Sequence, residues 1–404
     1  MENKEKAMAK RTVYADNAAT TRVYPEVVDA MLPYFTDLYG NPSSIHLAGQ
    51  LSKEALDSSR KKTADILGCT PWEIIFTSCG TESANLAIKG AVGALSAEGK
   101  RHIITTKIEH HAVLHTCETL AEQGCEVTYL DVDRYGKVRP SDVEKAIRHD
   151  TAIVSVMYAN NEVGTIEPVS EIAEICRSHG VLFFTDAVQA LGVLPIDVKE
   201  IGCDMLSASG HKLHAPKGTG ILYVKKGTRL VSLIDGGGQE LSMRSGTENI
   251  PGIVGFSKAF EISRERIKEN AKLIFKRDRL IREILTIPDS FLTGHPTDRL
   301  PGNASFVFKG IEGESLVLLL SLAGICVSTG SACSSKSIEP SHVLLSLGIS
   351  PENAHGSLRI TIDNDTTDSD IDYIIGNVKR AVAVLREMSP NYIRDTTTVK
   401  DNRG

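Results

Sequence analysis

Two apolar stretches of the sequence end in residues whose side chains can bind a ligand or take part in catalysis. Residues 183–189 read Phe-Phe-Thr-Asp-Ala-Val-Gln, and residues 205–212 read Met-Leu-Ser-Ala-Ser-Gly-His-Lys. Short apolar runs that end in small or polar residues are typical of strands covered on both faces of a parallel sheet. We therefore expect Asp186 and Lys212 at the ends of two strands, on the edge where α/β proteins bind ligands.

Similar runs recur on both sides of these two stretches. The predicted strands span residues 74–77, 102–105, 126–130, 152–157, 182–185, 205–208 and 221–224. The helical patterns between them span residues 82–94, 112–123, 141–147 and 169–179. This alternation predicts an α/β domain with a mainly parallel seven-stranded sheet.

After Gly252 the pattern changes. Residues 256–285 predict one long helix, which Ile287-Pro288-Asp289 ends because proline cannot continue a helix. A strand at 304–308 and helices at 312–322 and 369–386 predict a smaller α+β domain. The polar tail after Ser389 is expected to be loose.

Composition excludes several classes of protein. The net charge is −6 and both signs are scattered, which argues against a nucleic-acid-binding surface. No two of the eight cysteines form a Cys-x-x-Cys pair, so neither a zinc knuckle nor a thioredoxin-type site is expected. Ser321 and Gly324 interrupt the longest apolar run, which is shorter than the roughly 20 residues of a membrane span. Residues 1–11 are charged and lack a secretory core, so we expect a cytoplasmic protein with reduced cysteines.

Lys212 and Asp186 together predict pyridoxal phosphate as cofactor. The amine of Lys212 can form a Schiff base with an aldehyde, and Ser209 and His211 can hydrogen-bond a phosphate. Asp186 can keep a pyridine nitrogen protonated, which makes the ring an electron sink. Taken singly, Lys212 is equally well a solvated loop lysine, and Asp186 is better explained as a helix cap.

Residues 77–82, Thr-Ser-Cys-Gly-Thr-Glu, connect a predicted strand to a predicted helix. Small residues at a helix N-terminus present backbone N–H groups to a phosphate. The sequence contains no Walker pattern, and Gly218-Thr219-Gly220 lacks the third glycine of a dinucleotide fingerprint. A nucleotide-binding protein is therefore not expected.

Motifs along nearly the whole chain resemble those of the NifS/IscS-type cysteine desulfurases. They lie at residues 14–21, 40–44, 109–113, 160–164, 244–249, 328–335 and 339–344. The resemblance implies the fold type I of pyridoxal-phosphate-dependent transferases and a homodimer with active sites at the subunit interface. We expect a large cofactor domain over residues 17–262, a small domain over 1–16 and 263–389, and a flexible tail over 390–404.

The resemblance also implies the residues that hold the cofactor. Lys212 carries it, Asp186 pairs with the ring nitrogen, and His110 stacks on the ring and shuttles protons. The contacts to the ring oxygen or substrate come from Gln189 and Asn161. The phosphate contacts come from Gly80, Thr81, Ser209 and His211, with Thr247 reaching in from the partner subunit.

Arg359 and Cys333 are the residues that the resemblance assigns to the substrate. Arg359 would clamp the substrate carboxylate, although without the resemblance a surface ion pair is the better explanation. Cys333 would attack the sulfur of L-cysteine, which leaves a persulfide on Cys333 and releases L-alanine. Only small residues surround Cys333 over 328–335, so we expect an exposed loop, whereas Cys326, Cys176 and Cys203 are expected to be buried. A free thiol has a pKa of about 8.5, so Cys333 requires a lowered pKa or a nearby base.

Other interpretations remain open on the sequence alone. A selenocysteine lyase or another fold type I enzyme is the alternative within the fold, although an aminotransferase needs no thiol. A sulfur-relay scaffold without turnover is disfavoured by the presence of Lys212, Asp186, His110 and Cys333. His111 and His115 would share a helix face, but we expect no metal site, because His110 is better explained as the ring stacker.

The expected partners follow from the resemblance. They are L-cysteine, a second copy of the chain, and a sulfur-acceptor protein such as an iron–sulfur scaffold that docks near the Cys333 loop. During transfer Cys333 would also ligate the iron–sulfur cluster that is being built. Iron–sulfur assembly, a nitrogenase-dedicated pathway and tRNA thiolation all use such enzymes, and the residues do not choose among them. Neither nucleic acid nor membrane is expected to bind directly.

Overall fold

The structure is a computed structural model that describes residues 11–330, 340–389 and 392. The expected tail over 390–404 lies outside the described residues apart from Tyr392. The strands are β1 Val13–Tyr14, β2 Ile74–Thr77, β3 His102–Thr106, β4 Glu126–Leu130, β5 Thr151–Ser155, β6 Leu182–Asp186, β7 Met205–Ser209, β8 Gly220–Val224, β9 Ser290–Leu292, β10 Asn303–Phe308, β11 Ile325–Cys326 and β12 Ser357–Thr361.

Helices connect most of these strands. The α-helices are α1 Pro25–Met31, α2 Pro33–Thr36, α3 Leu47–Leu67, α4 Gly80–Leu95, α5 His111–Glu122, α6 Pro140–Ala146, α7 Val169–Ser178, α8 Val198–Ile201, α9 Ile250–Arg266, α10 Asn270–Ile284, α11 Gly313–Leu322, α12 His342–Ser346, α13 Pro351–Ala354 and α14 Asp368–Met388. The short 3₁₀ turns are Pro71–Glu73, Ser96–Glu98, Gly210–Lys212, Glu240–Ser242 and Ile267–Glu269.

The predicted seven-stranded, mainly parallel sheet is confirmed. Its strand order is β2-β8-β7-β6-β5-β3-β4. Six strands run in one direction, and β8 alone is antiparallel to its neighbours β2 and β7. The carboxyl ends of the six co-directional strands therefore meet at one edge of the sheet.

Both faces of this sheet are buried except at the edge strand β4, which explains why several of its strands are mainly apolar. Alternate side chains of a strand point to opposite faces, so Ile74 and Phe76 belong to one hydrophobic core and Ile75 to another. The same division separates Phe183 from Phe184 in β6. A strand covered on both sides cannot show the apolar–polar alternation of a half-exposed strand.

A separate hydrophobic core, which we call the second core, lies outside the large sheet and the two cores that cover its faces. The antiparallel sheet β12-β10-β9 and the parallel pair β1-β11 supply its strands, and α10, α11 and α14 contribute apolar side chains such as Leu280, Leu316 and Ile374. β12 places Arg359 opposite Ser305 of β10. This second core therefore positions the backbone of Arg359, while its side chain also contacts the turn after β5.

The prediction of one continuous helix over residues 256–285 is wrong. The structure has α9, a 3₁₀ turn at Ile267–Glu269, and α10. No proline or glycine marks the interruption, which is why the apolar periodicity predicted one helix. The interruption coincides with side-chain contacts, since Arg266 pairs with Asp365 at 2.8 Å and Asn270 donates to the Val193 carbonyl at 2.7 Å.

Smaller differences concern strand ends and burial. The strand predicted over 152–157 ends at Ser155, so Met157 lies in the following turn. Cys326 lies in a strand as expected, but it is half-buried rather than buried, whereas Cys176 and Cys203 are buried. Helix α3, which was not predicted, covers 21 residues.

Helix α3 holds a strained segment in place. Arg60 of α3 forms a bidentate ion pair with Glu240, with Arg60 Nη2 2.5 Å from Glu240 Oε1, and both side chains are buried. Glu240 also accepts from the Phe76 amide at 2.7 Å. Glu240, Leu241 and Ser242 all have positive φ, a conformation that residues other than glycine adopt only when their surroundings enforce it. The contacts of Glu240 with Arg60 and Phe76 therefore fix the start of the segment that leads to Thr247.

Among the described residues, none of the helices combines the length and the apolar character needed to cross a bilayer.

Candidate active site

A cavity of about 250 Å³ lies at the carboxyl edge of the large sheet. The segments that follow β2, β3, β5, β6 and β7 form most of its wall, together with residues 18–19 and Arg359. Its lining residues are Ala18, Ala19, Cys79, Gly80, Thr81, His110, Met157, Ala159, Asn161, Asp186, Val188, Gln189, Ser209, His211, Lys212 and Arg359. Of the residues predicted for the site that the structure describes, all are among them except Thr247.

Lys212 projects from the 3₁₀ turn that directly follows β7. Its Nζ donates to the carbonyls of Ala18 and Ala19, at 2.5 and 2.8 Å. These contacts hold the amine against the N-terminal segment and beside the cavity. The long side chain is therefore ordered within reach of a ligand before any ligand binds.

Asp186 is the last residue of β6 and is buried. Its Oδ1 accepts from the Val188 amide at 3.0 Å and from Ser207 Oγ at 3.1 Å. Burial raises the pKa of Asp186, while the positive charge available on His110 and those two hydrogen bonds act in the opposite direction. A buried carboxylate of this kind is stabilised by a cationic partner in the cavity, such as a protonated ring nitrogen.

His110 caps the N-terminus of α5. Its Nδ1 accepts from the Ala112 amide at 3.1 Å, so the neutral ring carries its proton on Nε2. Burial lowers the pKa of His110, Asp186 raises it, and Lys212 lowers it again. The net direction is downward, which keeps the imidazole neutral at neutral pH.

One end of the cavity has the features of a phosphate site. Gly80 and Thr81 form the first turn of α4, whose N-cap is Cys79 with Sγ accepting from the Glu82 amide at 3.5 Å. A Cβ on Gly80 would lie 2.6 Å from Val188 Cγ2, so a glycine is required where this turn packs against the cavity wall. A helix N-terminus of this length attracts an anion through its free N–H groups and its dipole.

Ser209 and His211 border the same cavity. Ser209 ends β7 and is buried, and His211 Nδ1 lies 3.2 Å from Thr20 Oγ1. Burial and the neighbouring lysines Lys212 and Lys217 lower the pKa of His211 to about 4. His211 is therefore a neutral hydrogen-bonding group at neutral pH.

Gln189 and Asn161 both line the cavity. Gln189 Nε2 donates to the Ala18 carbonyl at 3.0 Å, so Ala18 accepts from both Gln189 and Lys212. The backbone carbonyl of Asn161 accepts from Arg359 Nη1 at 2.9 Å. The Gln189 side chain and the Asn161 backbone are thus each held by a contact to another segment of the site.

Arg359 is almost fully buried, with 2% of its surface exposed, so it is not a surface ion pair. Its Nη2 donates to Asp16 Oδ1 at 3.0 Å, and its Nε has no hydrogen-bond partner within the described residues. Each Nη also keeps a second N–H group. A buried guanidinium with spare donors at a cavity wall is suited to an anionic group such as a carboxylate.

Thr247 is not brought into this cavity. Thr247 is exposed and lines a different hollow with Phe76, Thr77 and Arg244. Cys333 and most of the expected loop over 328–339 lie outside the described residues.

Some residues of the site carried no predicted role. Asp16 pairs with Arg359, and the Ala18 and Ala19 carbonyls receive Lys212. Asp16, Ala18 and Ala19 all belong to the quoted 14–21 motif, which was the available signal.

Glu109 is fully buried, and its Oε1 accepts from the Met157 amide at 2.9 Å, which ties the turn after β3 to the turn after β5. Burial raises the pKa of Glu109 to about 8.

The histidines near His110 form a cluster of rings. The centroid of His111 lies 4.9 Å from those of both His115 and His342. Within residues 11–330, 340–389 and 392, no group of three or more histidine, cysteine or acidic side chains has the geometry to hold a metal ion.

The residues of the cavity fit pyridoxal phosphate. The α4 N-terminus suits the phosphate, the buried Asp186 suits the ring nitrogen, and the Lys212 amine suits the aldehyde. These three features line a single cavity. A ligand with an anionic end, a basic ring nitrogen and an electrophilic carbon matches all three together.

Comparison with known proteins agrees with this chemistry. The family model for class-V aminotransferases matches residues 13–374. The cysteine desulfurase IscS of Methanosarcina thermophila is 54% identical over 94% of both chains, and that of Dictyoglomus turgidum is 50% identical over 94% of this chain and 97% of the relative. A solved NifS-like protein has a TM-score of 0.88 at 39% identity, over 93% of this chain and 100% of that one. The chain therefore belongs to the class-V aminotransferase family and, within it, to the cysteine desulfurases of the IscS type.

Proposed function

We propose that the protein takes sulfur from L-cysteine, releases L-alanine and keeps the sulfur as a persulfide on Cys333 for iron–sulfur cluster assembly. Membership of the cysteine desulfurases makes it a pyridoxal-phosphate-dependent enzyme. The observation that carries the proposal is the convergence of Lys212, Asp186 and Arg359 on one cavity. An amine, a buried carboxylate and a buried guanidinium there match an aldehyde cofactor and an amino-acid substrate.

Lys212 and Asp186 are proposed to hold the cofactor. Lys212 attaches it through its amine, and Asp186 keeps the ring nitrogen protonated. When bound, pyridoxal phosphate withdraws electrons from the substrate and weakens the bonds to its Cα. The buried position of Asp186 strengthens this pairing, because few water molecules compete for the carboxylate.

Lys212 and His110 are proposed to move the protons. Lys212 Nζ takes the proton from the substrate carbon and returns one to it, while His110 Nε2, which carries the ring proton, acts as a hydrogen-bond donor in this exchange. His110 Nδ1 does not take part, because it already accepts from the Ala112 amide. The lowered pKa of His110 keeps a neutral ring available at neutral pH.

Arg359 and Cys333 are proposed to act on the substrate itself. Arg359 binds the carboxylate, which orients the substrate thiol. The thiolate of Cys333 attacks the substrate sulfur, so that an S–S bond forms and the C–S bond breaks. The electron pair of the broken bond and a returned proton complete the methyl group of alanine.

The chain is proposed to work as a homodimer. Leu32, Phe35, Tyr39, Ile45 and Leu47 are each more than half exposed, which is unusual for a cluster of large apolar side chains in one segment. Burial of these side chains against a second copy would remove apolar surface from water. Thr247, exposed and outside its own chain's cavity, would then contact the phosphate bound by the partner.

An iron–sulfur scaffold protein is the proposed acceptor. It would dock near residues 328–339, and Cys333 would also ligate the growing cluster during transfer. Persulfide chemistry requires a reduced thiol on Cys333, so we infer a reducing compartment such as the cytoplasm.

Replacing Lys212 by alanine tests the cofactor attachment. The absorbance of the lysine-linked cofactor should disappear, and alanine production should fall at least about a hundredfold because a proton carrier is also lost. Visible absorbance and an alanine assay measure the two effects. Lys217→Ala is the matched control and should keep both. Loss of colour in Lys217→Ala, with normal colour in Lys212→Ala, would contradict the assignment.

Cys333→Ser tests the sulfur acceptor. The variant should keep the cofactor's colour and still change its spectrum when L-cysteine binds. Alanine production should nevertheless fall at least about a hundredfold, because a hydroxyl is not a competent nucleophile toward sulfur. Cys326→Ser is the control that should keep turnover. Near-normal turnover of Cys333→Ser would show that another group accepts the sulfur.

A mixed dimer tests the sharing of the site. Thr247→Ala should weaken cofactor binding about tenfold through loss of one hydrogen bond to a charged group. A dimer of one Lys212→Ala subunit and one Thr247→Ala subunit, purified through two tags, has one site with both residues intact if Thr247 serves the partner. Its activity at limiting pyridoxal phosphate should be about half that of the wild type. Activity no higher than that of the Thr247→Ala homodimer would place Thr247 in its own subunit's site, and an active monomer would exclude the shared site altogether.

A further inference from the structure

Glu162 is a buried carboxylate beside the active site that none of the proposed steps uses. It follows Asn161 in the turn after β5, and 5% of its surface is exposed. Its backbone amide donates to Asn160 Oδ1 at 2.9 Å, and its carbonyl accepts from Asn303 Nδ2 at 3.3 Å. The backbone of Glu162 is thus fixed on both sides, so its side chain has a defined direction.

The carboxylate of Glu162 contacts two segments that flank residues 331–339. We call residues 328–330 and 340–341 the two stems. Ser341 Oγ donates to Glu162 Oε2 at 2.5 Å. On the other stem, a Cβ placed on Gly330 would lie 2.6 Å from the same Oε2, so Gly330 packs directly against this oxygen. One carboxylate oxygen therefore touches both stems.

Further contacts connect the stems to the substrate arginine. Ser328 and Arg359 exchange two backbone hydrogen bonds, with Arg359 N to Ser328 O at 2.7 Å and Ser328 N to Arg359 O at 3.2 Å. Ser341 also caps α12, where its Oγ accepts from the Leu344 amide at 3.3 Å. The stems are thus built into rigid elements, and Glu162 lies between them.

We propose that Glu162 is a positioning residue for the sulfur-transfer step, because its carboxylate ties together the two stems between which Cys333 lies. The inference rests on the proposed function, in which Cys333 accepts the sulfur. Glu162 itself need not touch substrate or cofactor. It sets the positions at which the chain enters and leaves residues 331–339.

The ionisation state of Glu162 affects how strongly its carboxylate holds Ser341. Burial raises its pKa to about 7, against the hydrogen bond from Ser341 and the positive charge of Arg359, which lower it. Among the described residues Arg359 is the charged group acting on Glu162, and Asp16 pairs with Arg359 from the far side. Because the pKa is raised, the carboxylate is neutral below about pH 7 and ionised above it. The ionised form accepts the Ser341 hydrogen bond more strongly.

Glu162→Gln mimics the neutral form without changing the shape of the side chain. Single-turnover alanine formation by the holoenzyme is measured for wild type and variant between about pH 6 and pH 9. The wild-type rate divided by the Glu162→Gln rate cancels titrations that both proteins share. This ratio should be near one at the acidic end and rise about three- to tenfold through neutral pH. The spectral change on L-cysteine binding should be the same in both proteins.

Glu167→Gln is the matched control. Glu167 is another buried glutamate with a raised pKa, and it accepts from the Val138 amide rather than from a stem. The wild-type rate divided by the Glu167→Gln rate should not change with pH. A flat ratio for Glu162→Gln, or an equal rise for Glu167→Gln, would overturn the proposal.

Gly330→Ala gives a second test that does not depend on titration. The added methyl group would displace the Glu162 carboxylate from Ser341, so sulfur transfer should slow severalfold in the wild-type background. In a Glu162→Ala background the same methyl group meets no carboxylate, and its further effect should be less than about twofold. Equal effects in both backgrounds would contradict the proposed contact. Cofactor absorbance checks that each variant is folded.

These outcomes also separate the inference from the function on which it rests. If wild-type protein binds L-cysteine but forms no alanine, the proposed function fails. If wild-type protein forms alanine and Glu162→Gln matches it at every pH, the function stands and the role of Glu162 fails.

Discussion

The common direction of six strands is the constraint on which the rest of the structure depends. Because β2, β3, β5, β6 and β7 run the same way, the segments that follow them meet at one edge of the sheet. Side chains far apart in the sequence, such as His110 and Lys212, thereby line one cavity. Burial of both sheet faces makes this edge rigid, and a rigid edge keeps catalytic groups in fixed relative positions.

The N-terminal segment 16–21 completes the site from outside the large sheet. Its Ala18 carbonyl receives Lys212 and Gln189, and its Asp16 pairs with Arg359. The amides of Asn17 and Ala18 donate to Thr361 at the end of β12. This segment therefore links the groups proposed to hold the cofactor to the arginine proposed to hold the substrate. A change in the packing of the second core would reach the cavity through these contacts.

The sequence predicted the large sheet well because several of its strands are mainly apolar and lie between clear helical patterns. It did not predict the interruption between α9 and α10, since the contacts of Arg266 and Asn270 to distant residues leave no local mark. The site residues that line the cavity were identified largely through family motifs. Glu109 and Glu162 received no role from those motifs. Their roles depend on which buried amide or hydroxyl each carboxylate meets, and this information exists only in the folded chain.

The central claim is that sulfur moves from L-cysteine to Cys333 within a site organised by Lys212, Asp186 and Arg359. The most direct measurement is mass spectrometry of peptides from the holoenzyme after a single addition of L-cysteine, with free thiols blocked before digestion. The account predicts that the peptide containing Cys333 gains the mass of one sulfur atom, and that one alanine is released for each persulfide. A sulfur atom found instead on the peptide containing Cys79 or Cys326, or alanine released with no persulfide on any peptide, would contradict it.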